Sequence, residues 1–300
     1  MYIAGIFAGL FSAIFASVSY AASKGFINEY KSPLRLLLLS VAFMMFPAML
    51  TLLCLYGRYD LVFSPRNILM LLGAQGSFLV AQIALFRGLR YVEASRYSSL
   101  LGLKILLLSL ICVIFTGEGL NLLQWIAVIL CTISAVGMNF SGFRIPWKAF
   151  LFLLITLSGY ICSDICHVEY IKGNVGDTPW IQAFAAISCS YTVLGLISLP
   201  SLFFFKWNFR EFRATMPYGL AWFSSMLTLF FCFYETGLVF GSVLQATRGL
   251  FSILLGAILV HYGVRGQEAE ETTRKDWYRR IVMAVLMIIA VGLYSAGKVG

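Results

Sequence analysis

Apolar residues occur in long runs along this chain, and short polar or charged segments separate the runs. A helix that crosses a lipid bilayer needs about 20 consecutive, mostly apolar residues. Ten runs of this kind are present, at residues 2–22, 33–56, 67–86, 92–115, 122–140, 148–167, 178–204, 216–236, 239–261 and 279–297. Because lipid offers no partners for backbone N–H and C=O groups, each run is predicted to form a helix. The pattern therefore predicts an all-α polytopic membrane protein with ten transmembrane helices, numbered below as spans 1 to 10.

The composition of the chain excludes several function classes. Of the 300 residues, 60% are hydrophobic and 12% are charged, whereas soluble domains are about 25% charged. So little charge cannot cover a soluble globular surface, which excludes a soluble enzyme. The net charge of +9 would otherwise suggest a nucleic-acid partner, but in so apolar a chain clustered cations indicate membrane topology. We therefore expect no nucleic-acid partner.

Lysine and arginine residues are concentrated in alternate loops. Fifteen of them lie in or beside the loops that follow spans 1, 3, 5, 7 and 9, and three lie in the remaining loops. Because such residues stay on the cytoplasmic side, both termini are predicted to be non-cytoplasmic. Span 1 is not read as a signal peptide, because its first cations, Lys24 and Lys31, follow the apolar run. We expect a bacterial inner membrane as the location.

An internal repeat divides the chain. Residues 135–142 and 290–297 both read A-V-G followed by four residues and a glycine, and they end spans 5 and 10. Spans 4 and 9 both follow a Gly-Leu pair. We therefore predict two five-helix repeats, residues 1–145 and 146–300. An odd number of spans per repeat inverts the second copy in the membrane, which is a common plan of secondary transporters with a substrate site near the midplane.

Two cations lie near the middle of corresponding spans. Lys104 is in span 4 and Arg248 is in span 9. Charged groups inside a bilayer usually face a cavity or a partner, so both are predicted to contact an anionic or zwitterionic solute. Helical spacing places Tyr97 on the face of Lys104, and Gln245 and Ser252 on the face of Arg248. Further candidate substrate-binding residues are Tyr20, Gln75, Gln82 and Tyr160.

Several of these polar residues have a second interpretation. Asp164 in span 6 and Glu235 at the end of span 8 could be buried counter-ions of the cations, and Asp164 could instead carry a coupled proton. The two glutamines could line a cavity or form bonds between helices. His167, with two nearby thiols, is interpreted as an interfacial histidine rather than a metal ligand.

Small residues recur every four positions in span 1. Gly5, Gly9, Ala13 and Ser17 form this stripe. Small residues let helices approach closely in a membrane, so the stripe predicts a packing face rather than a binding site.

Several motifs together resemble one transporter family. Span 4 opens at residues 88–95 with G-L-R-Y-V-E-A-S and closes with Thr-Gly-Glu at residues 116–118, and span 5 ends in A-V-G. Span 2 opens with Pro33-Leu34-x-Leu36, which contains Arg35. With ten spans in two groups of five, the chain resembles the EamA-type transporters of the drug/metabolite transporter superfamily. Organophosphate and sugar-phosphate carriers of that superfamily are similar in placing basic residues on spans 4 and 9.

The predicted function is secondary transport of a small organic solute by alternating access. The alternative is a flippase that moves an anionic lipid or lipid-linked headgroup. An enzyme is not expected, because the two histidines, His167 and His261, are far apart in sequence and near span ends. No Walker A sequence is present. We expect no cofactor and a monomer whose partners are membrane lipids and its small-molecule or lipid-headgroup substrate.

Overall fold

The helices of this chain lie on the predicted runs. The structure, a computed structural model, describes residues 2–88, 91, 100–116, 119–138, 146–204, 207–261 and 274–299. The helices are α1 (Tyr2–Tyr30), α2 (Pro33–Cys54), α3 (Pro65–Gly88), α4 (Leu103–Thr116), α5 (Leu122–Met138), α6 (Trp147–Lys172), α7 (Pro179–Leu202), α8 (Phe209–Thr236), α9 (Leu238–Ala246), α10 (Arg248–His261) and α11 (Arg274–Val299). Seven of the described helices are long and apolar enough to cross a membrane. The protein is therefore an all-α, multi-pass integral membrane protein.

Local capping explains where two of the helices begin. The side chain of Ser32 accepts a hydrogen bond from the Arg35 N–H, and Pro33 occupies the first turn of α2. At α8, the Asn208 side chain accepts a bond of 2.8 Å from the Glu211 N–H. Because of this cap, α8 begins at Phe209, seven residues before the predicted start of span 8.

Spans 4 and 9 differ from the uninterrupted helices that the sequence predicts. Span 9 is divided at Thr247 into α9 and α10, and in span 4 a turn at residues 101–102 precedes α4. The Thr247 hydroxyl donates a bond of 2.6 Å to the Leu244 carbonyl, and the Thr247 N–H bonds to the same carbonyl. These contacts tighten the turn and interrupt the α-helical pattern. In span 4 the turn contains Gly102, a residue that weakens helices.

The helices form two compact units, each of which contains segments from both predicted repeats. The first unit comprises Met1–Phe78 and Cys162–Thr236. In it, α1 packs along α8, and α2 packs against α7 and α8. The small-residue stripe of span 1 is buried at all four positions, and a Cβ atom added at Gly5 would lie 2.6 Å from Thr236 of α8. The prediction of a packing face is therefore confirmed.

The second unit comprises Leu79–Ile161 and Gly237–Gly300. Its main contact joins α5 to α11, and α4 packs against both α5 and α9. Near this contact the rings of Phe240 and Tyr294 stack with centroids 4.9 Å apart. The chain passes between the units within α3, within α6 and before α9.

Two short strands close one end of the first unit. β1 (Tyr59–Asp60) pairs antiparallel with β2 (Val175–Gly176), with Tyr59 opposite Gly176. These strands lie in the loops that follow spans 2 and 6. Because the two loops meet, they lie at the same end of the helices, as an even number of intervening spans requires.

Candidate functional site

The candidate residues predicted from the sequence are distributed over both units. The first unit holds Tyr20, Gln75, Asp164 and Glu235. The second unit holds Gln82, Lys104, Tyr160, Gln245, Arg248 and Ser252. Tyr97 lies outside the described residues. The second unit therefore holds both cations.

Lys104 lies at the beginning of a helix. It is the second residue of α4, and its backbone N–H bonds to the Leu101 carbonyl at 3.0 Å. Its half-buried ammonium lies 5.9 Å from the centre of the Tyr160 ring of α6. A cation at this distance from a ring face is attracted by it, typically by about 0.5–1 kcal/mol at exposed sites. The structure thus brings two predicted site residues, Lys104 and Tyr160, together.

Arg248 lies at the corresponding place in span 9. It is the first residue of α10, directly after the turn at Thr247, and it is half-buried. Gln245 ends the preceding helix one turn earlier and is also half-buried. Gly249 follows Arg248, and a Cβ at Gly249 would collide with the sulfur of Met138 at the end of α5. A side chain at position 249 would therefore require the Met138 side chain to move.

Ser252 does not share the environment of Arg248. The structure leaves Ser252 exposed, whereas Gly241 is buried and Gln245 is half-buried. The sequence placed Gln245, Arg248 and Ser252 on one face by counting through a single helix. The structure divides that helix at Thr247, so the count assumes a continuity that is absent.

The two interrupted spans have the chemistry of an anion site. The first turn of a helix presents N–H groups and a partial positive charge, and here each such turn also carries a cation. α4 and α9 pack against each other, so these features belong to neighbouring spans. Arginine can hold a carboxylate or phosphate through two hydrogen bonds, and lysine contributes a point charge.

Gln75 takes part in a hydrogen-bonded cluster in the first unit. Its amide nitrogen donates to the Ser190 carbonyl at 3.2 Å and to the Ser190 hydroxyl. The His167 Nε2 atom lies 3.0 Å from the same hydroxyl, and the His167 Nδ1 atom lies 2.8 Å from the Ser163 carbonyl. All four side chains are buried. Of the two interpretations of Gln75, the structure therefore supports the bond between helices.

His167 is buried among neighbouring helices. Only 5% of the residue is exposed, and its ring packs 4.5 Å from the ring of Phe230 on α8. α6 extends to Lys172, so His167 lies inside the helix rather than at its end. Ser163, one turn earlier on the same helix, was the signal in the sequence that a polar partner was available.

Tyr20 lies beside a group of aromatic side chains. Its ring meets Trp222 of α8 edge-on at 6.3 Å, and Tyr218 stacks on Trp222 at 5.9 Å. The Trp222 indole N–H donates to the Tyr191 hydroxyl at 3.2 Å. Tyr20 itself remains partly exposed. This group gives Tyr20 a fixed position, as substrate contact would require.

The carboxylates predicted as counter-ions occupy different environments. Asp164 is buried within α6, and Glu235 is half-buried near the end of α8, beside Gly5. Gln82 is buried on α3. Their proposed roles stay predictions.

The two ends of the first unit differ in charge. The strand end, residues 55–67 and 169–182, holds three cations and three carboxylates. There Arg58 pairs with Asp177, and Arg66 and Lys172 pair with Glu169. The basic end, residues 24–35 and 207–213, holds five cations against two carboxylates. Its described ion pairs are Arg35–Glu211 and Arg210–Glu29.

Comparison with known proteins relates part of the chain to one family. Residues 3–140 match the EamA-like transporter family. This region of the chain is similar to that family, in agreement with the resemblance drawn from the motifs. No curated protein matches the sequence.

Solved structures support the fold over almost the whole chain. A structure titled "Crystal structure of protein" matches with a TM-score of 0.71 and 13% sequence identity, covering 96% of this chain and 95% of that chain. At this identity the likeness shows the fold alone.

Proposed function

We propose that this protein is a secondary transporter that moves a small anionic or zwitterionic organic solute by alternating access. The observation that carries the proposal is the position of Lys104 and Arg248, each at the start of a helix that begins within a predicted span. Transporters commonly bind substrates where membrane helices are interrupted, because the free N–H groups there face the solute. A cation at such a turn adds to the positive potential, so an anionic group is the favoured occupant.

The pattern of helix contacts supports an inverted repeat of five plus five spans. Such a repeat relates each of spans 1 to 5 to the span five positions later. A contact between spans 1 and 8 therefore implies a contact between spans 6 and 3. Both occur: α1 packs along α8, and the Ser163 hydroxyl of α6 donates to the Ala74 carbonyl of α3 at 2.9 Å. Likewise α2 contacts α8, and Gln75 of α3 bonds to Ser190 of α7.

The same exchange holds for several further pairs of spans. The contact of spans 4 and 5 corresponds to that of spans 9 and 10, and both are present. Three further contacts join a span to its own equivalent in the other repeat, and all three are present: spans 2 and 7, 4 and 9, and 5 and 10. This agreement favours the division into residues 1–145 and 146–300.

The charge difference between the ends of the first unit supports a cytoplasmic basic end. Lysine and arginine are retained on the cytoplasmic side, and the basic end has the excess of cations. α1 begins at the opposite, strand end. We therefore place the N-terminus outside the cytoplasm, in a bacterial inner membrane.

Uptake into proteoliposomes tests the proposed function. The purified full-length chain is reconstituted and offered radiolabelled amino acids, dicarboxylates and sugar phosphates, with labelled nucleosides as uncharged controls. We expect accumulation of at least one anionic or zwitterionic class and exchange with the unlabelled solute. Translocation of fluorescent phosphatidylglycerol without uptake of any soluble compound would identify a flippase instead.

A further inference from the structure

The buried cluster around His167 has a defined arrangement of protons. Because a carbonyl oxygen can only accept, the Ser163 carbonyl at 2.8 Å requires a proton on the His167 Nδ1 atom. The Ser190 carbonyl likewise requires that the Gln75 amide nitrogen, and not its oxygen, faces Ser190. Gln75 then donates to the Ser190 hydroxyl, and that hydroxyl donates to the His167 Nε2 atom at 3.0 Å. The imidazole is therefore neutral in this arrangement.

Protonation of the imidazole is incompatible with these bonds. A proton on the His167 Nε2 atom would displace the one that Ser190 donates. It would also face the Gln75 amide nitrogen, another donor, at 3.5 Å. The ring would carry a charge while its partners are two hydroxyls, an amide and the Phe230 ring, all uncharged. A charge buried without a counter-charge is strongly disfavoured in a membrane, so the cluster must rearrange.

The titratable groups on the surrounding helices do not alter this conclusion. Those nearest in sequence are Asp164 and Cys166 on α6, and Cys189 and Tyr191 on α7. The hydrogen bonds described for the His167 ring come from Gln75, Ser163 and Ser190. α3 carries Gln75 and α8 carries Phe230 at this point, and neither is titratable.

The cluster lies close to the points where the chain leaves the first unit. Gln75 is three residues before the boundary at Phe78 within α3, and His167 is five residues after the boundary at Cys162 within α6. Through Ser190 the cluster also ties both helices to α7. A change here would act on both of the helices that continue without interruption from one unit into the other.

The corresponding contact elsewhere in the first unit is joined by a pair of serines. Under the proposed repeat, the α3–α6 contact corresponds to that between α8 and α1. There the Ser12 and Ser225 hydroxyls lie 3.2 Å apart, and Ser225 donates to the Ser12 carbonyl. Serine does not titrate, so helix packing alone does not require a histidine at this kind of contact.

We propose that His167 is a proton-binding site, and that its protonation releases α3 from α6 and α7. Histidine is the side chain whose charge ordinarily changes between pH 5 and 8. In this conformation the cluster holds the neutral form, and uptake of a proton favours a conformation in which Gln75 and Ser190 have separated. The link from this release to solute movement rests on the transporter function proposed above, whereas the proton binding does not.

The protonation can be tested by NMR on the full-length chain in nanodiscs. The chain has two histidines, so the His261→Gln variant, labelled with ¹⁵N-histidine, reports on His167 alone. We expect the neutral Nδ1–H form at pH 8 and the imidazolium on acidification. In this background Gln75→Glu, which replaces the donor by a carboxylate, should raise the pH of half-protonation by about one unit or more. Gln75→Met, which removes the donor without adding charge, should raise it less.

Gln82→Glu is the matched control, because Gln82 is also a buried glutamine of α3 but has no bond to His167. It should leave the half-protonation pH within about 0.3 units, well inside the ordinary spread of such values. The proposal is overturned if His167 stays neutral down to the pH at which the protein unfolds. It is equally overturned if Gln75→Glu and Gln82→Glu shift the titration alike.

The release of α3 can be measured by cross-linking. A Cβ atom at Gly73 of α3 would lie 3.3 Å from the sulfur of Cys166 on α6, within reach of a disulfide. We expect Gly73→Cys to cross-link to Cys166 at pH 8. About one pH unit below the half-protonation pH found by NMR, the cross-linking rate, divided by that of the same protein carrying His167→Gln, should fall at least threefold. An unchanged ratio at that pH would overturn the release. Failure of all solute uptake would refute the transporter function but would leave both readouts intact.

Discussion

The two compact units differ in where they place positive charge. In the first unit, the described ion pairs lie at the two ends of the helices, where Arg58 and Arg35 meet carboxylates. In the second unit, Lys104 and Arg248 begin helices inside predicted spans, where the helix dipole disfavours a cation. Charge at the ends ties helices together, whereas charge at a helix start within a span favours an anionic partner. The comparison therefore makes the two cations of the second unit, Lys104 and Arg248, the first residues to test for binding of an anion.

The largest expected effect is on transport through the second unit. Lys104→Ala and Arg248→Ala should each reduce uptake of the identified solute by about 30-fold or more, since removing one partner of a desolvated charge pair typically costs about 2–5 kcal/mol. Arg248→Lys should recover little, because the charge remains but two-point binding is lost. Initial rates in proteoliposomes, normalised to inserted protein, measure this.

Stability measurements separate substrate binding from a structural ion pair. If Arg248 serves the solute, Arg248→Ala should keep its melting temperature in detergent within about 3 °C of the unmodified protein. If Asp164 is its counter-ion, Arg248→Ala should melt much lower, and Arg248→Ala with Asp164→Asn should melt normally. Unmodified uptake rates in both single alanine variants would contradict the binding role.

The next effect concerns the packing of the first unit. A Cβ at Gly195 of α7 would lie 2.6 Å from the Met45 Cβ of α2, whereas one at Gly292 of α11 meets nothing within 4 Å. We expect Gly195→Ala to destabilise the protein by about 1–3 kcal/mol through overpacking. Gly292→Ala should stabilise it by up to about 1 kcal/mol through helix propensity. Thermal unfolding of the two variants in one detergent gives the comparison, and equal shifts would refute it.

The sequence predicted the helices of both units well, because long apolar runs leave little choice in lipid. It also predicted the packing face of α1, because the small residues from Gly5 to Ser17 follow helical spacing. It missed the interruption at Thr247, because Thr247 stands in a continuous apolar run that shows no break in the sequence. The proposed contact of Ser252 with the solute stays a prediction.

The His167 cluster could not be predicted because its partners come from three helices. Gln75 and Ser190 lie 115 residues apart, and no periodicity along the chain relates them. Burial of a polar side chain inside an apolar run is visible in the sequence, but the partner that satisfies it depends on which helices pack together. The sequence therefore identified Gln75 as unusual without identifying its role.

A smaller effect distinguishes the two ends of the first unit. Arg35 pairs at 3.3 Å with Glu211, whose side chain is only 9% exposed. Arg35→Ala leaves that carboxylate buried with one partner fewer, which typically costs about 1–3 kcal/mol. We expect Arg35→Ala to lower the stability by this amount and the added Glu211→Gln to restore most of it. A double-mutant cycle by thermal unfolding measures the coupling, and a coupling energy near zero would contradict the role of the buried carboxylate.

The smallest effect is expected at the strand end. Arg58 and Asp177 also lie 3.3 Å apart, but their side chains are 50% and 58% exposed. Water screens such pairs, so they usually contribute about 0.2–1 kcal/mol. Arg58 also lies 5.6 Å from the ring centre of Trp180, and the strand pairing joins the same loops without it. Arg58→Ala should therefore lower the stability by less than Arg35→Ala does, and high salt should reduce its effect further. If Arg58→Ala proves the more damaging variant, exposure does not explain the difference between the ends, and the strand end would have to depend on the Arg58–Trp180 contact.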